Sequence, residues 1–296
     1  MAYQNVSTPR IYLNIPEYLA STGAITIDPV FRTLPVSANS YTDGTSVSIP
    51  AGILGTQCFV AILGHTLKTD SSDYEIFELF VDSLVPVING TPSSGLDGFS
   101  ISTFDATGET SLTVIGISGK MTVCTGIYYD FPHSPDLNLS LSYSYEGIKE
   151  TTTRGGNTLT NQFYNKPPAW GSLGAWELGG EPKYAKSGRR VWDLSFSYLS
   201  DSSVFPDNAG LINETSTTDT TGSGATDLTL LKDDSFQRVI HLTNGGQIPF
   251  IFQSDNTSGS EKPDSFAIAK LDMNSFKFSQ VANSVYNVKI KIREVW

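Results

Sequence analysis

The sequence predicts a mainly β protein with one short helix, and three observations carry that prediction. Residues 188–206, GRRVWDLSFSYLSDSSVFP, alternate without a break at their centre. Trp192, Leu194, Phe196 and Tyr198 fall on one side, and Asp193, Ser195 and Ser197 on the other. A period of two is the pattern of a half-buried strand. The last twelve residues, VYNVKIKIREVW, repeat it: Tyr286, Val288, Ile290 and Ile292 form the apolar side, and Lys289, Lys291 and Arg293 the wet side. Charged residues are only 17% of the chain, with Ser, Thr and Asn abundant instead. That mix suits sheets and turns rather than charge-laced helices. The two alternating stretches are expected to pair as antiparallel neighbours in one domain.

A chain of 296 residues exceeds what one core usually accommodates, so two domains are expected. Residues 1–45 read as an extended arm. Pro9, Pro16, Pro29 and Pro35 interrupt every run long enough for an interior helix or central strand. Residues 11–15 suit a short strand, and IPEYLAST a helical turn or two. The arm needs a surface to lie on, and part of it is expected on another copy. Residues 46–135 read as a β-sandwich, with strands in VSIPAGI, QCFVAILGH, YEIFELFVDS, SLTVIGISG and MTVCTGIYYDF separated by glycine-marked turns.

Residues 136–296 read as a second β domain. Its strands lie in LNLSLSYSYEG, TTTRGG with its neighbours, RRVWDLSFSYLS, QIPFIFQS, DSFAIAKLD, SFKFSQV and VYNVKIKIREVW. Residues 213–227, rich in Thr, Ser and Gly with no large apolar side chain, are expected to be a flexible surface loop. Trp170 and Trp176 sit in a Pro/Gly-rich link expected to pack on a sheet or a partner. DLTLLKDDSFQRVIHLTNGG is the helix candidate, stopped by Asn244 and Gly245.

Charge and motifs remove several function classes. The net charge of −11 supplies no basic footprint for specific nucleic-acid binding. Cys58 and Cys124 lie in apolar strand-like runs and read as buried free thiols. MAYQNVSTPR has no apolar h-region, and no apolar run approaches the ~20 residues of a membrane span. His133, Ser134 and Asp136 bring three catalytic residue types together, but neighbours on a proline-flanked turn point apart. A strand connector with a hydrogen-bonded histidine is the expected reading. No metal-ligand spacing and no phosphate cradle is present, so no cofactor is expected. Thirty acidic residues leave a glycosidase pair open without singling one out.

Two stretches carry a resemblance. CFVAILGH, followed later by SLTVIGISGKMTVCTGIYYDFP, resembles the galactose-binding-like jelly rolls of phage structural proteins. Gly64 with His65, and Gly126 through to Pro132, stand at the matching strand ends. The C-terminal half resembles the tail-tip ring proteins of tailed bacteriophages, the distal-tail and minor-tail proteins. That likeness rests on Arg190, Trp192, Leu194, Phe196 and residues 248–252, 266–271 and 286–296. It implies a split β-barrel that forms a ring around the tail channel, preceded here by a jelly-roll-like sandwich.

The expected function is therefore a non-enzymatic structural component of a phage tail tip or baseplate, made in the host cytoplasm and carried in the virion. Its partners would be its own copies in a homo-oligomeric ring, hexamer favoured over trimer, with tail-tube, baseplate-hub or fibre proteins. Lys289, Lys291 and Arg293 are either an ordinary solvated face or a row that lines the channel or meets the acidic surface of the next protomer. The alternative is a lectin-like receptor-binding protein, with Tyr74, Tyr128, Tyr129 and Asp130 as glycan contacts. An enzyme acting on a surface glycan is the third reading.

Overall fold

The computed structural model describes residues 6–34, 40–63, 77–81, 85–90, 99–115, 121–137, 140–144, 148–162, 189–206, 234–257, 265–272 and 276–295. The strands are β1 (Arg10–Asn14), β2 (Ser46–Ser48), β3 (Cys58–Leu63), β4 (Phe77–Val81), β5 (Val85–Gly90), β6 (Phe99–Phe104), β7 (Ser111–Ile115) and β8 (Thr122–Asp130). They continue as β9 (Ser140–Ser144), β10 (Ile148–Thr152), β11 (Thr158–Gln162), β12 (Arg189–Ser200), β13 (Phe250–Gln253), β14 (Phe266–Leu271), β15 (Phe278–Ala282) and β16 (Val285–Glu294). Short helices are α1 (Ile15–Ser21), α2 (Asp201–Val204) and α3 (Phe236–Leu242). The class is mainly β, as expected.

A ten-stranded sheet runs in the order β6-β3-β8-β1-β13-β14-β16-β12-β9, with β15 added beside β16. Strands from residues 46–135 and from 136–296 thus share one sheet, and β1 is the joint between them. It pairs antiparallel with β8 on one side and β13 on the other. A four-stranded sheet, β2-β7-β4-β5, and a β10-β11 hairpin complete the described strands. The large sheet is open at β6 and β9 among the described residues, where a closed barrel would have no edge.

The arm reading is corrected at β1, which lies in the centre of the protein's own sheet rather than on another copy. Ile11 and Leu13 are buried on one face of it, Tyr12 and Asn14 on the other. Pro16 and Pro29 occupy permitted positions instead of breaking elements. Pro16 sits in the first turn of α1, where the helix has no use for a backbone N–H. Asn14 caps that turn by accepting the Glu17 N–H at 3.2 Å. Pro29 opens a 3₁₀ turn capped by Asp28.

The main core lies on one face of the large sheet. Ile11, Leu13, Val60, Ile127, Phe196, Trp192 and Ile290 meet Val47 and Leu112 of the smaller sheet and Phe236, Val239 and Leu242 of α3. Stacked rings 4.4 Å apart join Phe131 to Phe196. A second cluster covers the other face at β3, β8, β1, β13 and β14, built on Phe59, Leu63, Cys124, Tyr12, Ile251 and Ile268. Both cysteines are free and buried, and burial raises both thiol pKa values. Gly126 is needed where β8 meets β1. A Cβ there would press on the Leu13 carbonyl oxygen and come within 2.7 Å of the Ile15 nitrogen.

The helix candidate ends as expected. Asn244 and Gly245 follow it at φ 49° and 68°, which the left-handed stop requires. β12 ends as expected, at Ser200. Its hydroxyl accepts the Ser203 N–H and starts α2, whose Val204 is buried in the core. β5 and β6 were not foreseen as strands. Residues 213–227, Trp170, Trp176, Gly64, His65 and Tyr74 lie outside the described residues.

Candidate functional site

β12 and β16 form the long antiparallel ribbon that their alternation predicts. Trp192 stands opposite Ile292, Leu194 opposite Ile290, and Phe196 opposite Val288. Trp192, Leu194, Phe196, Val288, Ile290 and Ile292 are all buried. At the far end of the ribbon, Arg190 and Glu294 form an ion pair with side chains 1% and 4% exposed. The guanidinium donates to both carboxylate oxygens, at 3.1 and 2.9 Å, and to the Phe266 carbonyl at 2.6 Å. It also lies 5.1 Å from the Trp192 ring centre. This pair satisfies a charge that the core would otherwise reject.

The alternation fails at Tyr198, which is a correction to the expected core. The next matched pair after Phe196 and Val288 is Leu199 with Tyr286. Ser197 and Tyr198 therefore oppose the single residue Asn287, which makes a β-bulge. The extra residue hands the core position to Leu199, which is buried, and leaves Tyr198 80% exposed. Tyr198 has φ 63°, the left-handed region that bulky residues avoid at a cost of roughly 1–2 kcal/mol. Its N–H, released from the ladder, donates to Asn287 Oδ1 at 3.1 Å. Tyr286 is half-buried, edge-on to Phe205 at 5.1 Å.

The chain between β8 and β9 lies along this bulge. The Asp136 N–H donates to the Ser195 carbonyl at 2.8 Å. The hydroxyls of Ser195 and Ser197 both donate to Asp136 Oδ2, at 3.0 and 2.8 Å. Leu137 follows and is fully exposed. His133 Nδ1 donates to the Ser134 carbonyl, so His133 serves the connector and does not join Asp136 at Ser195 or Ser197.

The basic residues share one face of the ribbon, where the lysines reach solvent and Arg293 is half-buried. Lys289 is exposed opposite Ser195 and makes no ion pair among the described residues. Lys291 pairs with Asp193 at 3.6 Å, both about half exposed. Arg293 stands opposite Lys270 of β14. Leu137, Tyr198 and Lys289 thus gather around Asp136, Ser195 and Ser197. Exposed aromatic and aliphatic groups beside cations suit contact with another macromolecule.

The proposed glycan contacts separate. Tyr129 is 2% exposed and turned into the main core, edge-on to Phe131 at 5.2 Å. Tyr128 and Asp130 lie on the other face, where Arg10 occupies both. Its guanidinium sits 4.2 Å over the Tyr128 ring and bonds Asp130 at 2.6 and 2.8 Å. Asn256 also donates to Asp130 Oδ1 at 2.8 Å. Beside them the buried Tyr12 hydroxyl, its pKa pushed up to about 12 by burial, donates to Gln253 Oε1. The cluster ties β1, β8 and β13 together and uses the groups a sugar would need.

Tyr198 was missed because three correct alternations led up to it. The signal was its neighbour: Tyr198 and Leu199 are adjacent large apolar residues, which one strand face cannot hold together. Among the described residues no helix is long and apolar enough to cross a membrane, and no three potential ligands group around a metal position. No family model, no curated protein and no solved structure matches this chain.

Proposed function

We propose that this chain is a non-enzymatic structural component of a phage tail tip or baseplate, working as a homo-oligomeric ring in the virion. The observation that carries the proposal is the presentation of Tyr198. A strand otherwise committed to the core spends backbone strain to hold an aromatic ring in solvent, beside exposed Leu137 and Lys289. Strain of this kind concentrates at functional positions. The resemblance of the β12 and β16 motifs to tail-tip ring domains names the kind of assembly. The ring would join the tail tube to fibres or receptor-binding proteins.

Negative-stain microscopy of the purified full chain, with its mass in solution from light scattering, tests this. Closed rings with a central hole, of hexamer or trimer mass, are the expected result. A monomer at every concentration overturns it. Saturable binding on a glycan array by a non-ring species would favour the lectin-like alternative.

A further inference from the structure

We propose that the Tyr198 face docks head to tail on the acidic turn at residues 105–109 of a second copy of this chain. This inference rests on the assembly reading above and names its contact.

The first argument is shape. Tyr198 and Leu137 are the large apolar side chains standing out from the ribbon's solvent side, at 80% and 103% exposure. The backbone that carries them is fixed. Asn287 fixes the Tyr198 backbone, and Asp136 pins the connector to Ser195 and Ser197. A preorganised aromatic anchor loses little freedom on binding.

The second argument is charge. Residues 265–296 contain five Lys or Arg and two Asp or Glu, although the whole chain is net −11. Residues 33–119 contain nine Asp or Glu and a single Lys. The C-terminal segment is therefore basic where the 33–119 segment is acidic, and the exposed Lys289 suits an acidic partner. Asp105 is exposed in the turn that follows β6. Thr107 donates to its Oδ1 through its hydroxyl at 2.6 Å and its N–H at 2.9 Å, which keeps the carboxylate charged. Glu109 closes the same turn.

The third argument is placement. The acidic turn leaves β6, one edge of the large sheet. The Tyr198 face lies on β12 and β16, next to the opposite edge strand, β9. Two basic faces would repel if they met each other, so a two-fold contact through this surface is unfavourable. A contact between opposite ends is heterologous, and repeating it closes a ring or extends a filament.

Sedimentation of the full chain across a concentration series decides the matter. Tyr198→Gly suits the left-handed backbone, so it should keep the thermal midpoint and weaken self-association roughly tenfold or more. Lys289→Glu and Asp105→Lys should each weaken it as well. Mixing those two charge variants should restore association, because each mutated end then meets its complement. If the parent assembles and these variants assemble equally well, the proposed contact is wrong while the assembly reading stands. A parent that stays monomeric throughout overturns both.

Discussion

Two regions of the large sheet are built on different rules: the run from β3 through β14, and the β12–β16 ribbon beyond it. In the run, β3 is buried at all six residues and β8 from Thr122 to Ile127. In the ribbon, β16 alternates, with Lys289 exposed between buried Val288 and Ile290. A strand covered on both faces must be apolar throughout, whereas one covered on a single face can carry charge on the other. The difference divides the labour of the sheet. The doubly covered strands, β13 and β14 included, are closed to partners, and the β12–β16 ribbon keeps a face free to meet them.

The strongest way to break this comparison is to change one charge in each region. Ala61 has no exposure. Ala61→Lys forces an ammonium between two covered faces, and the expected loss is several kcal/mol, enough to unfold a marginal protein. Lys289→Ala removes a charge from the open face and should change stability by less than about 0.5 kcal/mol. Urea unfolding measures both. Equal effects would mean that the regions are covered alike.

The buried pair at the end of the ribbon comes next. Glu294→Ala leaves the Arg190 guanidinium uncompensated and should cost about 3–5 kcal/mol. Replacing both, Arg190→Met with Glu294→Leu, should recover most of that loss, because well-packed apolar side chains replace buried ions at little net cost. If the double variant is as unstable as the single one, the pair contributes through its bond to the Phe266 carbonyl rather than through charge balance.

What was legible in the sequence follows the same division. The alternating C-terminal strands announced their buried faces, and setting Trp192 opposite Ile292 puts Arg190 beside Glu294. The N-terminal runs CFVAIL and TVCTGI were recognisable as strands. The sequence did not reveal which strand lay between them and the C-terminal half. That answer required β1, whose partners Tyr128 and Ile251 are more than a hundred residues away. Local signals fix local elements, and a joint made by distant pairings leaves no periodic trace. The prolines misled for a related reason: Pro16 and Pro29 start elements at positions that need no N–H, yet read alone they look like interruptions. In the site, the basic row was visible as alternation. The bulge was not, because one inserted residue reverses facing without changing composition.

Tyr198→Gly offers a smaller effect with a diagnostic sign. It relieves a left-handed tyrosine and removes a ring that is 80% exposed. Glycine also gains freedom in the unfolded chain, which offsets part of the relief. The expected outcome is no loss of stability, or a gain of up to about 1 kcal/mol, by chemical denaturation. A clear loss would show that the ring is packed within its own chain, and the open face of the ribbon would not be open there.

The smallest expected effect concerns the clasp, on the core side, between the two halves of the sheet that meet at β1. Tyr18 of α1, just after β1, hydrogen-bonds His241 Nε2 of α3 at 2.7 Å, with ring centres 5.5 Å apart. Burial lowers the His241 pKa below its ordinary value of about 6.5. The folded state therefore holds fewer protons at this ring than the unfolded state does wherever the pH lies between the two pKa values. Stability from the neutral ring is fully present above pH ~6.5 and declines as the pH falls through that value toward the lowered one. Neutral Nε2 can accept the Tyr18 O–H, and a protonated ring cannot. His241 is exposed, so solvent screens the effect and its amplitude should stay under about 1 kcal/mol. His241→Gln keeps an acceptor and should remove this step from the stability-versus-pH curve, and Tyr18→Phe should shrink it. A curve unchanged by both variants would place the acid sensitivity elsewhere. The two halves would then be joined through β1 and the core alone, without a titratable contact between α1 and α3.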